Sequence, residues 1–108
     1  MVEYSLRLDS VFGSLADPTR RDILRRVARS ELTVGEISAD YDMSMAAVSK
    51  HIKMLEKAKL VIKRRRGKEQ LVRARTGTLA EAREYLEWYR RFMDGRLDSL
   101  EEYLNKEA

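Results

Sequence analysis

The chain has 108 residues, 44% of them hydrophobic and 37% charged, which provides material for one core and leaves no length for a second, so a single domain over 1–108 is expected. It contains no cysteine, which excludes disulfides, thiolate ligands and cysteine nucleophiles and suits a reducing cytoplasm. The formal net charge is only +4, but residues 44–75 hold 11 Lys/Arg against two Glu, a local +9, while 1–43 and 76–108 carry −2 and −3.

Leu8, Val11, Phe12 and Leu15 recur at helical spacing and predict a first amphipathic helix. Asp17-Pro18 interrupts it: Asp17 can cap new amides, Pro18 fits the first helical position, and Ile23, Leu24 and Val27 make the apolar stripe of a helix over about 18–28. Thr33 and Glu36 have capping-box spacing ahead of Ile37 and Tyr41, so a short third helix begins there. Ser44 can cap a fourth, with Val48, Ile52, Met54 and Leu55 on its apolar side. Two short helices joined by about three residues make a helix-turn-helix candidate over about 33–59.

From Leu60 the periodicity changes. VIKRRR and EQLVRAR flank Gly67-Lys68 as two β-compatible runs around a turn, a two-stranded wing over about 60–75. Thr78 and Glu81 again have capping-box spacing, and the proline-free segment from there to Leu104 predicts one helix of roughly 40 Å. The fold class expected is therefore mainly α with a small β-hairpin: a winged helix-turn-helix of about five helices. No apolar run approaches the roughly 20 residues that span a bilayer, and MVEYSLRLDS has no basic stretch leading into an apolar one, so a soluble, cytoplasmic protein without membrane partners is expected.

A basic block inside a folded domain is the electrostatic footprint of a polyanion site, although a solvated basic surface is the plainer alternative. With Val48, Ile52 and Leu55 turned inward, the opposite face of the fourth helix carries Met45, Ala46, Ser49, Lys50 and Lys53, small or hydrogen-bonding groups that suit a major groove. Arg64, Arg65, Arg66 and Lys68, with Lys63 before them, surround the hairpin tip, where guanidiniums can lie along a phosphate backbone or enter a minor groove. Double-stranded DNA is the partner expected. His51, the only histidine, makes neither a metal site nor a catalytic pair by itself, and a hydrogen-bonding or phosphate-facing role fits it better.

At LADPTRRDILR (15–25), ELTVGEIS (31–38) and MSMAAVSKHIKMLEKAKLV (43–61) the chain resembles the ArsR/SmtB family of winged-helix repressors, over nearly its whole length. The resemblance implies a homodimeric repressor on an imperfect palindrome. Its DNA contacts would fall on Ser44, Met45, Ala46, Ala47, Ser49, Lys50 and His51 and on the wing arginines, and we count Thr33, Lys53 and Lys68 with them. Met45 and Ala46 stand where many relatives are more polar, so no base preference carries over. Thr33 and Gly35 occupy the places of the cysteines in thiol-sensing members, and the last helix has no histidine. Asp94, Asp98, Glu101 and Glu102 there read as a solvated face, so no metal or cofactor is expected.

Along the last helix Leu86, Tyr89, Met93, Leu97, Leu100 and Leu104 form a seam at spacings of three and four, widened by Tyr85, Trp88, Phe92 and Tyr103. With Leu6, Leu8 and Phe12 of the first helix as neighbours, this face predicts a dimer interface centred on Leu8, Phe12, Tyr85, Trp88, Tyr89, Phe92 and Leu100. The same aromatics could line the monomer core or hold a small molecule. An enzyme is the least supported class, since the chain lacks a phosphate-binding glycine loop and a nucleophile elbow. The alternatives to a plain DNA-binding repressor are a winged helix used for protein contacts, or a repressor gated by an unknown inducer between the terminal helices.

Overall fold

The computed structural model describes residues 2–107, with side chains described for 8–106, so Leu6 lies outside the described side chains. In chain order the elements are α1 (Val2–Leu15), α2 (Pro18–Arg29), β1 (Leu32–Thr33), α3 (Val34–Ala39), α4 (Met45–Lys57), β2 (Val61–Arg66), β3 (Glu69–Ala74) and α5 (Thr76–Glu107). Three helix starts follow the cap residues. The Asp17 carboxylate accepts from the Arg20 amide at 3.0 Å ahead of Pro18. The Ser44 hydroxyl accepts from the Ala47 amide at 3.1 Å. Thr33 and Glu36 close a complete capping box, Glu36 N to Thr33 Oγ1 at 3.0 Å and Thr33 N to Glu36 Oε1 at 2.9 Å. The Thr33 amide, and then its hydroxyl, hold the Glu36 carboxyl below its ordinary pKa.

The core lies where α2, α3 and α4 meet the sheet. Ile23, Ile37, Val48, Leu55, Leu60 and Val72 are fully buried, and Val11 of α1 and Ala82 near the root of α5 close its edge. Each such Ile or Leu contributes about 1.5–3 kcal/mol by leaving water. Met54 departs from expectation: it is 42% exposed, because at about 100° per residue it sits some 200° around α4 from Ile52.

The sheet has three antiparallel strands in the order β1-β3-β2 where two were expected. The extra strand is two residues long, Leu32↔Val72 and Thr33↔Leu71, too short to show an alternating pattern. Between β2 and β3 the register runs from Val61↔Ala74 to Arg66↔Glu69, and Gly67, at φ 62°, makes the tip.

α4 ends in a Schellman turn. The Lys59 amide bonds to Glu56 O and the Leu60 amide to Leu55 O, both at 3.0 Å, with Lys59 itself left-handed at φ 62°. The carbonyl of Lys59 accepts the Thr78 hydroxyl, which corrects the expected capping box at Thr78 and Glu81: Thr78 lies inside α5, which starts two residues earlier at Thr76. That hydroxyl faces the turn after α4 and not the amides of its own helix.

α5 runs for 32 residues, about 48 Å at 1.5 Å per residue, and the molecule measures 67 × 32 × 21 Å along its principal axes. From Trp88 to Lys106 every residue of α5 is exposed. No described helix is long and apolar enough to cross a membrane.

Thr33→Ala removes the acceptor of the capping box. It is expected to cost about 1 kcal/mol and to lower Tm by about 4 °C, read by thermal unfolding; an unchanged Tm would show that the box adds nothing to stability.

Candidate nucleic-acid interface

α4 presents one buried edge, Val48, Ile52 and Leu55, and one bare face on which Ser44, Met45, Ala46, Ser49, Lys50 and Lys53 are exposed, with Ala47 half-buried between them. The N-terminal half of this face meets the wing. A cleft of about 390 Å³ between them is lined by Thr33, Val34, Gly35, Met45, Ser49, Lys68, Glu69 and Gln70. A continuation further down α4 is lined by Ser49, Lys53, Lys63 and Gln70, with Val34 and Ile52 at its floor. The structure thus gathers Thr33, Met45, Ser49, Lys53 and Lys68 around one groove. It adds Gln70, a residue that sequence reasoning passed over; its place directly across the hairpin from Arg65 was the available signal.

Strand alternation divides the wing cations between two faces. Lys63, Arg65 and Gln70 lie on the side toward α4, where Lys63 Nζ pairs with Glu56 Oε1 at 3.3 Å. Arg64 and Arg66 point the other way. Arg64 is held by Glu31 through two bonds, Nε to Oε2 at 2.9 Å and Nη2 to Oε1 at 2.7 Å. Arg66 meets Glu69 at 3.4 Å. The Arg64 guanidinium holds the Glu31 carboxyl below its ordinary pKa, and Glu31 in turn raises that of Arg64. Among the described residues Arg65, Lys68, Lys50 and Lys53 carry no ion pair. Of the four wing cations expected at DNA, Arg65 and Lys68 therefore project free charge, Arg64 is held in a bidentate pair, and Arg66 makes one long exposed contact.

His51 is half-buried at the α2–α4 boundary, its Nδ1 3.4 Å from Arg20 Nη1 and 3.9 Å from Asp17 Oδ2. Arg20 donating to Nδ1 would leave the ring proton on Nε2. The Arg20 amide, first, and the Arg20 charge hold the Asp17 carboxyl below its ordinary value against the opposing effect of burial.

Three arginines that sequence analysis left without a role position this surface. Arg20 Nε donates to Ser14 O at 2.6 Å and Arg21 Nη1 to Leu15 O at 2.8 Å, satisfying the open carbonyls at the end of α1. Arg26 does the same for α3, donating to Ile37 O at 3.1 Å and Glu36 O at 3.3 Å, while pairing with Asp40 at 2.8 Å and lying 5.4 Å over the Tyr41 ring. The Tyr41 hydroxyl donates to Asp22, and burial is the main cause that pushes its pKa up. This cluster fixes α3, and with it the turn leading into α4, on α2. Nothing in a single helix pattern announces such contacts, which span up to 19 residues of chain.

On the far flank, Leu8 is buried within its own chain and Phe12 is half-buried, its ring 5.9 Å from that of Tyr85. Tyr85, Trp88, Tyr89, Phe92 and Leu100 are all exposed, Trp88 at 55% and Leu100 at 53%, and the Trp88 and Phe92 rings stack 5.7 Å apart. The aromatics beyond Tyr85 do not line the core of their own chain.

Residues 15–64 match the model of a family described as a helix-turn-helix domain. The chain is 46% identical over 59 residues to an HTH-type transcriptional regulator of Mycobacterium tuberculosis, a match that spans 55% of each protein and so little more than half of that relative. It is 32% identical over 60 residues to the transcriptional repressor SdpR of Bacillus subtilis, covering 56% of this chain and 67% of that one. Among solved structures, an ArsR-like transcriptional regulator from Rhodococcus sp. RHA1 superposes with a TM-score of 0.78 at 28% identity, covering 94% of this chain and 95% of that chain. Together with the capped α3–turn–α4 unit and the three-stranded wing, these likenesses show that the chain belongs to the ArsR family of winged helix-turn-helix transcriptional regulators.

Proposed function

We propose that the protein is a cytoplasmic repressor that binds duplex DNA as a homodimer on an imperfect palindrome and acts by binding, without catalysis. The observation that carries this reading is the single surface on which the bare face of α4 adjoins the inner face of the wing. Ser44, Met45, Ala46, Ala47, Ser49 and Lys50 would enter the major groove, where Ser49 can donate or accept at a base edge and the alanine methyls can touch thymine. Lys53, Arg65 and Lys68 would meet phosphates on either side, the cleft between α4 and the wing receiving the strand that separates the two grooves. The match of that surface to a polyanion favours this over a protein-binding winged helix, since lysine is depleted in protein interface cores.

Dimerisation is supported by the bare apolar flank of α5. Leu97, Leu100 and Leu104 are more than half exposed and continue the aromatic stretch from Tyr85 to Phe92, a contiguous patch of the kind that a soluble chain covers with a partner. A palindromic site requires a two-fold partner with half-sites about one helical turn apart.

A second reading adds an inducer. A groove of about 320 Å³ between α1 and α5 is floored by Phe12, Leu15, Leu79, Ala82 and Leu86 and rimmed by Arg83, Glu87 and Arg90, at the lower end of small-molecule sites. An apolar dye that raises Tm and weakens duplex binding at the same concentration would support it; a dye that binds with no effect on DNA would reduce the groove to packing.

Replacing Arg65 and Lys68 together by Ala is expected to weaken binding to all duplexes and to reduce the log–log salt slope of the dimer by about 3.6, two phosphates in each protomer at about 0.9 each. A slope equal to that of the unaltered chain would remove the wing from the interface. Trp88→Ala is expected to weaken self-association by about 30-fold or more in sedimentation, and to lower Tm where the dimer is populated but not at a dilution where the chain is already monomeric. A fully dimeric variant would show that Trp88 is not an anchor.

A further inference from the structure

The Glu31–Arg64 pair differs from the other ion pairs of the wing in reach and geometry. Register places Arg64, Leu71 and Thr33 in one row across β2, β3 and β1, and Glu31, two residues before Thr33, lies on that same face. The Arg64 side chain therefore crosses the sheet over Leu71 to meet a carboxylate 33 residues away in sequence, through the Nε–Nη2 edge of its guanidinium at 2.9 and 2.7 Å. Arg66 and Glu69 are hairpin neighbours joined by one contact at 3.4 Å, each more than half exposed, whereas the Glu31 side chain is only 25% exposed. Single exposed pairs of the Arg66 kind are readily exchanged for water or phosphate, while a bidentate fork on a partly covered carboxylate is held in one geometry.

We propose that Glu31 sets the discrimination of this protein between its target and other DNA: by holding Arg64 in a bidentate pair on the outer face of the sheet, it withdraws one wing cation from the phosphate backbone. Sequence-independent affinity rises with every phosphate that a free cation neutralises, whereas base contacts by α4 do not depend on Arg64. A cation left free on the wing would raise binding to every duplex alike and so lower the ratio of target to non-target binding. Glu31 is thus a positioning residue acting through Arg64. The inference rests on the DNA-binding reading above.

The test measures salt slopes on a duplex of arbitrary sequence for the full chain and for Glu31→Gln, Arg64→Gln, the double variant and Arg65→Gln. Glu31→Gln is expected to steepen the slope by about 1.8 and to tighten non-target binding about 60-fold at 0.1 M salt, one added phosphate contact in each protomer of the dimer. Arg64→Gln is expected to leave the slope of the unaltered chain in place, and the double variant to return to it. Any loosening of the wing on loss of the pair would weaken binding, opposite in sign, so the slope separates masking from a purely structural role. An Arg64→Gln slope lower by about 1.8 would overturn the proposal, because Arg64 would then leave Glu31 for DNA in both protomers. So would an unchanged Glu31→Gln slope, or a double variant as steep as Glu31→Gln, which would assign the effect to Arg73 on the same face. In each of those cases a reduced slope for Arg65→Gln leaves the DNA-binding reading standing. If the unaltered chain binds no duplex at low salt, both readings fall together.

Discussion

The basic surface depends on the burial of one edge of α4. Val48, Ile52 and Leu55 have almost no contact with solvent, and because a helix repeats every 3.6 residues their burial leaves Ser49, Lys50 and Lys53 no choice but to face outward. The caps at both ends, Ser44 before and the Lys59 turn after, set where the helix begins and stops, and so which side chains stand at its exposed start. Arg26, Tyr41 and Asp22 fix the preceding helix, and the pairing of β1 with β3 ties the wing to the same frame. The placement of these charged side chains is decided by the apolar packing beneath them.

Local chemistry was legible in the sequence. Asp17-Pro18, Thr33 with Glu36, and Ser44 each announced a helix start, because a cap is a contact between residues three apart. Thr78 and Glu81 show the same spacing and misled, because the Thr78 hydroxyl found a carbonyl 19 residues back. Met54 failed for a simpler reason, lying one step off the buried edge. β1 carried no readable pattern at two residues, since its existence depends on β3, nearly 40 positions later.

The candidate interface shows the same division. The outward residues of α4 follow from helical period alone, and the wing from its glycine and its two β-compatible runs. What a list of cations could not convey was their apportionment between two faces of a strand. Arg64, Arg65 and Arg66 are adjacent in sequence, yet only Arg65 shares a face with Gln70 and Lys63. The roles of Arg20, Arg21 and Arg26 as donors to the carbonyl ends of α1 and α3 were equally hidden, because those carbonyls become neighbours only after folding.

The Thr78 hydroxyl on the Lys59 carbonyl, together with the Arg75 amide on Leu60 O at 2.8 Å, fastens the root of α5 to the turn that ends α4. A stiff rod anchored at one end converts a small tilt into a large sweep: five degrees at the root displaces the tip by about 4 Å over a length of about 48 Å. If two such chains pair along α5 as proposed, the spacing of their two α4 helices and the angle at which the two rods cross become a single geometric variable. Any molecule that wedges the rods apart would change the fit to a half-site spacing without touching a residue that meets DNA.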